Sequence, residues 1–401
     1  MKNKYINILL LIIFIILLFN FTNNTNEKFE LKYRGNILRN GIVYTKEIIK
    51  KPEIKWTYNS KEKISFNYPI IYNNILLVRS INNYSKERSI VAIDAKNGKL
   101  IWKIDKAGLL IRPLEVSSNI LIAVSEDLKL YAINVSNGKI LWKIDRIEGS
   151  ECYSVPTIYN NVVYLGTTLE SEFEEDYIHF CGYDLYTGKI VWEYPIYDGS
   201  NTAPIIENGK LYINDGWQMF CIDIKTKKLI WKYKCKEWIS VDAVLSGNIL
   251  LVCDPEEGLK ALNKNTGKIL WKNEEYIFDI GINNEPPVVV KDKIYFKYCD
   301  RNKDYEEYLC CININNGNLI WKKNVKEFGC RFVRMHVVDK YIYATNFPLN
   351  IVCFNTETNS ILWRHDFPIP KNQKDYESGR IVIYDSKIYI ATTDGKIYCM
   401  E

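Results

Sequence analysis

The sequence predicts an all-β protein, a closed ring of eight four-stranded antiparallel blades. Three observations predict it. A Trp-bearing segment recurs along the chain, each copy follows a hairpin pattern, and the two chain ends carry complementary fragments of one further copy. Composition agrees: 47% of the 401 residues are hydrophobic and 25% charged, with many Ile, Tyr, Val and Trp, as in a folded, strand-rich chain. The formal net charge is +5, and Lys2 and Lys4 supply two of those charges. The remaining charge is nearly balanced, which argues against the concentrated basic face of a nucleic-acid binder.

The first thirty residues stand apart. Lys2 and Lys4 precede an apolar run from Ile6 to Phe21, broken only by Asn7 and Asn20, and a polar stretch follows from Thr22 to Lys28. A basic start before an apolar core of this length reads as a signal sequence. The run is at the short end for a spanning helix. No small-x-small cleavage site and no Cys follow directly. Residues 1–30 are therefore read as an uncleaved signal-anchor, with a cleaved signal peptide as the alternative. Either places the rest on the extracytoplasmic side, membrane-anchored or secreted. Residues 31–51 are a linker and 52–401 the ring.

The repeat is read directly. IVAIDAKNGKLIWK at 90–103, LYAINVSNGKILWK at 130–143 and LKALNKNTGKILWK at 259–272 are three of seven alike segments. Their anchors are Trp102, Trp142, Trp192, Trp231, Trp271, Trp321 and Trp363, and counting from Trp56 the spacings run from 39 to 50 residues. That period is the length of a four-stranded propeller blade. Four residues before a turn position stands an acid or amide: Asp94, Asn134, Asp184, Asp223, Asn263, Asn313 and Asn355. Such side chains bond the backbone just ahead and fix a turn. Gly fills the turn position at 98, 138, 188, 267 and 317, where positive φ is needed; Lys227 and Asn359 replace it in two copies. Six residues before the turn, every copy is small: Ala92, Ala132, Gly182, Cys221, Ala261, Cys311 and Cys353, with Cys399 in the last. Packing thus accounts for four of the eleven cysteines, each standing in for Ala as a small buried hydrophobe. The total is odd and shows no disulfide spacing.

Upstream of each Trp segment, paired apolar runs such as 68–78, 155–165, 203–213 and 286–296 are separated by Asn-Asn, Asn-Gly or Asp-Lys and read as hairpins. Each unit is four strands, A to D, with Trp on D. After Trp363 only strands A, B and C remain, at 380–385, 387–393 and 396–400, while PEIKWTY at 52–58 is a lone strand D. The N-terminal strand is predicted to complete the eighth blade, leaving no open sheet edge between the ends.

At these residues the chain resembles the pyrroloquinoline-quinone-like (PQQ-like) repeat family, whose signature small-x-Asp-x-x-Thr-Gly-x-x-x-Trp is matched best by Gly182–Trp192 and Ala261–Trp271. The resemblance covers about residues 50–401 and is specific for fold, not function. It spans quinoprotein dehydrogenases and the eight-bladed outer-membrane assembly lipoprotein. By its length and propeller-only content the chain looks most like the assembly-factor branch, although it lacks a lipobox Cys.

Two functional readings follow. The first is a non-catalytic scaffold, monomeric as a propeller, that needs no cofactor. It would bind an unidentified protein through the B–C and D–A loops, where length varies: 82–89, 170–177, 300–307, 273–284 and 365–378. Trp217 at a B–C tip and Trp238 at the end of a D–A loop lie outside the Trp column on that face, in neighbouring blades. They suit a binding hot spot, or ordinary packing at the channel mouth. The second reading is a small quinoprotein dehydrogenase, or its relic, with PQQ and calcium. The resemblance implies for it a clamp of two adjacent cysteines, for which Cys310 and Cys311 are candidates. Neighbouring strand residues point to opposite faces, so two packed thiols are the simpler account. No catalytic residue is assigned. His179, His336 and His365 lack metal-ligand spacing, and no nucleophile elbow or phosphate loop is present.

Overall fold

The structure is a computed structural model. It describes residues 36, 38 and 41–401, apart from 61–68, 82–87, 106–113, 126–128, 145–153, 167–177, 197–198, 201, 276–284, 329–333, 347–349, 368–379 and 393–394. The N-terminal segment read as a signal-anchor lies outside the described residues. No helix among the described residues is long and apolar enough to cross a membrane.

Eight four-stranded antiparallel sheets form the ring. Blade one is Ile70–Tyr72, Ile75–Ile81, Arg88–Asp94 and Leu100–Asp105. Blades two to seven repeat this order and end on strands Ile140–Ile144, Ile190–Ile196, Lys228–Lys234, Ile269–Asn273, Leu319–Asn324 and Ser360–Asp366. Blade eight takes its strands A, B and C from Arg380–Tyr384, Lys387–Ala391 and Lys396–Met400, and its strand D from Ile54–Asn59. Trp56 pairs with Cys399, and the backbones of Glu53 and Glu401 exchange two hydrogen bonds of 3.0 Å. The predicted closure by the N-terminal strand is therefore present, within two residues of the predicted bounds. Strands A of blades one and eight, two and three, and six and seven come together across their seams.

The columns of the repeat have a shared geometric cause. Each small residue is the cross-strand partner of the blade's own Trp: Ala92 of Trp102, Cys221 of Trp231, Cys353 of Trp363, and so on round the ring. A bulge follows directly in each of the seven repeat blades. At Gly182 a Cβ would sit 2.9 Å from the Cβ of Trp192 and from Val162. Strand B carries Tyr opposite each cysteine of the column, Tyr212–Cys221, Tyr295–Cys311, Tyr343–Cys353 and Tyr389–Cys399, and opposite Gly182 as well, through Tyr164. Burial pushes these thiols up, Cys221, Cys311 and Cys399 to about 11 and Cys353 to about 12. They stay protonated and pack as small apolar groups.

Each Trp also ties its blade to the next. The indole Nε1 donates to the carbonyl after the next blade's turn acid or amide: Trp102 to Val135 (2.7 Å), Trp142 to Leu185 (2.9 Å), Trp271 to Ile314 (2.7 Å). The next turn glycine lies on that indole; a Cβ at Gly317 would come within 2.4 Å of Trp271 and at Gly138 within 2.8 Å of Trp102. Glycine is thus required twice, for positive φ and for this approach. Lys227 holds the position at φ 55° with its side chain in solvent, and Trp192 keeps its bond to Ile224 (2.9 Å).

Asn359, at φ 53°, has the other outcome. Trp321 Nε1 and Asn359 Oδ1 are both buried without a hydrogen-bond partner. By the repeat, residue 359 holds the place of the glycines that lie on the other indoles, and it carries a side chain there. The seam between blades six and seven is therefore the least well satisfied of the Trp-bridged seams. Replacing Asn359 with Gly is expected to restore the Trp321 bond and raise stability by about 1 kcal/mol, read as a higher melting temperature. Deleting residues 392–401 removes strand C of blade eight and the partner of Trp56. The expected result is loss of the cooperative melting transition rather than a small shift, followed by circular dichroism.

Candidate functional site

The B–C loops are built on a second recurring polar residue, at the end of strand B, that the sequence reading did not single out. Asp215 accepts from the backbone N–H groups of Trp217 (3.2 Å) and Gln218 (2.8 Å). Asp254 accepts from those of Glu256 (3.0 Å) and Glu257 (3.1 Å), and Asp300 from Asn302 (3.1 Å). Ser125 serves the same end of blade two by accepting from Lys129 (2.9 Å). An acid closing an apolar strand, with two to five residues between it and the next strand, is the signal that could have found them. In blade six the loop is shorter than the predicted 300–307: strand B runs to Asp300, a short 3-10 turn spans Arg301–Lys303, and strand C begins at Glu306.

The structure brings Trp217 and Trp238 together. Their rings meet edge to face at 6.0 Å, and both are half-buried. Trp217 stands at the B–C tip of blade four, as predicted. Trp238 lies in the middle of the D–A loop after it, not at its end. Gly216 makes the approach possible: at φ +93°, its Cβ would come within 2.6 Å of the Trp238 ring. Two backbone bonds clamp the loops together, Cys235 N–H to Trp217 (2.8 Å) and Ile239 N–H to Gly216 (2.7 Å). The Glu237 carboxylate accepts from the Trp238 N–H at 3.1 Å. The pair is a preorganised aromatic step rather than two mobile loop residues.

A buried ion pair supports it from blade five. Lys260 is fully buried and donates to Asp254 at 2.8 Å and to Glu257; Asp254 also accepts the Lys236 N–H (3.1 Å) from the loop that carries Trp238. Burial opposes ionisation of Asp254, but the Lys260 bond and three backbone N–H groups outweigh it and hold its carboxyl below the usual range. Burial likewise pulls Lys260 down, and its bonds to Asp254, Glu257 and Tyr233 more than offset this, so its value is raised. The cluster is paired and fixed, which suits support of the loops.

Other candidates separate. Cys310 and Cys311 are fully buried and face different seams, Cys310 among Val289, Phe296 and Ile312, Cys311 among Val288, Tyr295 and Phe354. They do not present a joint clamp. His336 and His365 lie in different strands, and among the described residues no group of acids, His and Cys could hold a metal ion. At the start of blade six, Glu285 receives Arg334 of blade seven at 3.1 Å and Arg380 of blade eight at 3.9 Å.

Fold and loop geometry together define a propeller of PQQ-like repeats whose individual features lie on one loop face. The chain belongs to the family described as outer membrane protein assembly factor BamB, whose model matches residues 52–214 and 202–401. Among solved structures it is similar to BamB from Moraxella catarrhalis, with a TM-score of 0.56 and 13% identity, covering 87% of this chain and 88% of that one. It is also similar to the quinohemoprotein alcohol dehydrogenase ADHIIG from Pseudomonas putida, with a TM-score of 0.72 and 12% identity over 94% of this chain and 80% of that one. These likenesses show the fold. Curated relatives include the quinoprotein alcohol dehydrogenase PedH of Pseudomonas putida, 25% identical over 32% of this chain and 24% of its own length. Tetrathionate hydrolase of Acidithiobacillus ferrooxidans is 20% identical over 61% of this chain and 54% of its own length. The chain spans about a quarter to about half the length of these relatives.

The buried pair predicts a pH dependence. Asp254 titrates below its unfolded value near 3.9, so its contribution is present above that pH and lost as pH falls through the lower folded value. Lys260 titrates above its unfolded value near 10.4, so its contribution is present below that pH and lost as pH rises through the raised folded value. Urea unfolding from pH 3 to 11 should show both limbs. Asp254→Asn should flatten the acid limb, and Lys260→Ala should cost about 3–5 kcal/mol at pH 7 by leaving Asp254 buried and unpaired.

Proposed function

We propose that this chain is a non-catalytic, extracytoplasmic propeller, tethered through its N-terminal segment, that holds a protein partner on its B–C/D–A loop face in envelope protein assembly. The observation that carries this reading is the Trp217–Trp238 step, half-buried and locked by Gly216, Asp215 and the clamped D–A loop. Rigid aromatics on a fixed scaffold are the usual anchors of protein interfaces. The family match supports the assembly role, and BamB of Moraxella catarrhalis is a relative of similar extent.

The quinoprotein reading has one observation in its favour. Arg334 and Arg380 gather on Glu285 at the starts of blades seven and eight, and guanidinium groups are the usual partners of a small carboxylate ligand. PQQ, with calcium, is the candidate.

Titration of the purified chain with PQQ and Ca²⁺ separates the two. The scaffold reading expects neither a spectral change nor a raised melting temperature. A stoichiometric change with a higher melting point would overturn it. A photo-crosslinker at Gln218 should capture a protein partner in cells, and the same probe at Asn137, on the opposite face, should not. Trp217→Ala and Trp238→Ala should each weaken that association at least tenfold, with circular dichroism unchanged.

A further inference from the structure

The near-balance of charge over the whole chain hides an uneven distribution. The A–B and C–D turns share one end of the ring. At that end the residue after the turn position is Lys in blades one to five, at Lys99, Lys139, Lys189, Lys228 and Lys268; blades six and seven carry Asn318 and Ser360 there. All five lysines are exposed, as are Lys96, Lys225 and Lys227 within the turns. The acids of these five turns, Asp94, Asp184 and Asp223, are each occupied by their own turn, accepting the backbone N–H groups of Lys96, Thr187 and Thr226. In blades six and seven, Lys291 and Lys340 instead gather on Glu357. Cations therefore dominate one arc of the ring, from blade one to blade five, and are densest at blade four.

Two further features of the arc lie outside what the ring needs. Lys227 stands at φ 55° where the repeat takes Gly, a backbone conformation that lysine adopts less readily. Each lysine of the column is also followed by two aliphatic residues, from Leu100 and Ile101 to Ile269 and Leu270, which are between 41% and 53% exposed. They lie on strand D, the outer edge of each sheet.

The N-terminal segment is held at the same end. Thr45 accepts from Ser386 in the A–B turn of blade eight (3.0 Å). Val337 and Leu245, each next to last in its strand A, donate to Gly41 (2.8 Å) and Leu38 (3.1 Å). Asn36 folds back on this stretch, donating to the Ile42 carbonyl and accepting the Leu38 N–H, both at 2.9 Å. Residues 22–35 separate Asn36 from the apolar run Ile6–Phe21, a reach of at most about 50 Å. A tether through that run starts from the lysine-bearing end.

We infer that this arc rests on the surface of an anionic phospholipid bilayer, with lysines on the headgroup phosphates and the aliphatic pairs at the rim of the contact. The loop face then points away from the membrane, toward a partner. The inference rests on the tethered reading for the surface that the arc meets. Basic side chains near an anionic leaflet each raise affinity about fivefold, an effect that salt removes.

The test uses the full chain with vesicles of phosphatidylcholine alone or in equal parts with phosphatidylglycerol, and reads acetylation of individual lysines by mass spectrometry. Flotation with the neutral vesicles reports the tether and lysine protection reports the arc, so each fails separately. Lys99, Lys189, Lys228 and Lys268 should be acetylated at least fivefold more slowly on anionic than on neutral vesicles, and Lys236 and Lys303 on the loop face equally on both. Salt at about 1 M, where the Debye length is about 3 Å, should abolish the difference. Lys225→Gln with Lys228→Gln should weaken the protection of Lys189 and Lys268 at least fivefold. Lys227→Gly should weaken it too without lowering the melting temperature, which a purely structural lysine would not do. Equal acetylation on both vesicles, protection that extends to the loop face, or the same protection by soluble heparin overturns the inference.

Discussion

The indole between blades is the interaction on which this ring depends. Each Trp faces a small residue on its own blade, and every one but Trp321 sends its Nε1 to a backbone carbonyl across the seam. One side chain thereby fixes the strand spacing, the wedge angle and the link to the neighbour. The small column, the turn acid and the turn glycine are all consequences of making room for it. Where Lys227 replaces the turn glycine the bond survives, and where Asn359 does so Trp321 has none, although the blade persists. The ring is a chain of similar joints, and a local lapse stays local.

Closure is the second constraint. Seven joints can be made by repeats in sequence, but the last needs residues from both ends. Trp56 meets Cys399, and Ile48 supplies the carbonyl that blade eight, ending at Glu401, has no turn to offer. The N-terminal segment therefore acts as more than a linker. It closes the outer wall, supplies the carbonyl for Trp363, and bonds to strands A of blades five and seven at Leu245 and Val337.

The two faces have different physics. On the C–D side the same Asx turn recurs, set by the indole beneath it, and leaves little room for individuality. On the B–C/D–A side no indole imposes a shape, so each loop is held by local means: an acid at the end of strand B, a glycine under Trp238, a buried Lys260–Asp254 pair. Individual features collect there because the repeat leaves that face unconstrained.

The sequence by itself determined the blade number, the strand order and the closing strand, because these follow from a column of Trp spaced by one blade and from small, turn and acid residues at fixed offsets. It also placed Trp217 and Trp238 on one face of adjacent blades, since loop side follows from strand order. Tertiary structure alone decided that their rings touch, because that depends on Gly216 yielding space and on backbone bonds between loops of different blades. It decided that Cys310 and Cys311 part into separate seams and that Lys260 is buried with two carboxylates. It also decided that Leu38, Gly41 and Val43 bond to strands A of blades five and seven, since a segment outside the repeat carries no period to read. What recurs is legible from one chain, because each copy repeats the same local contacts; what occurs once, between distant parts, is fixed only when the ring closes.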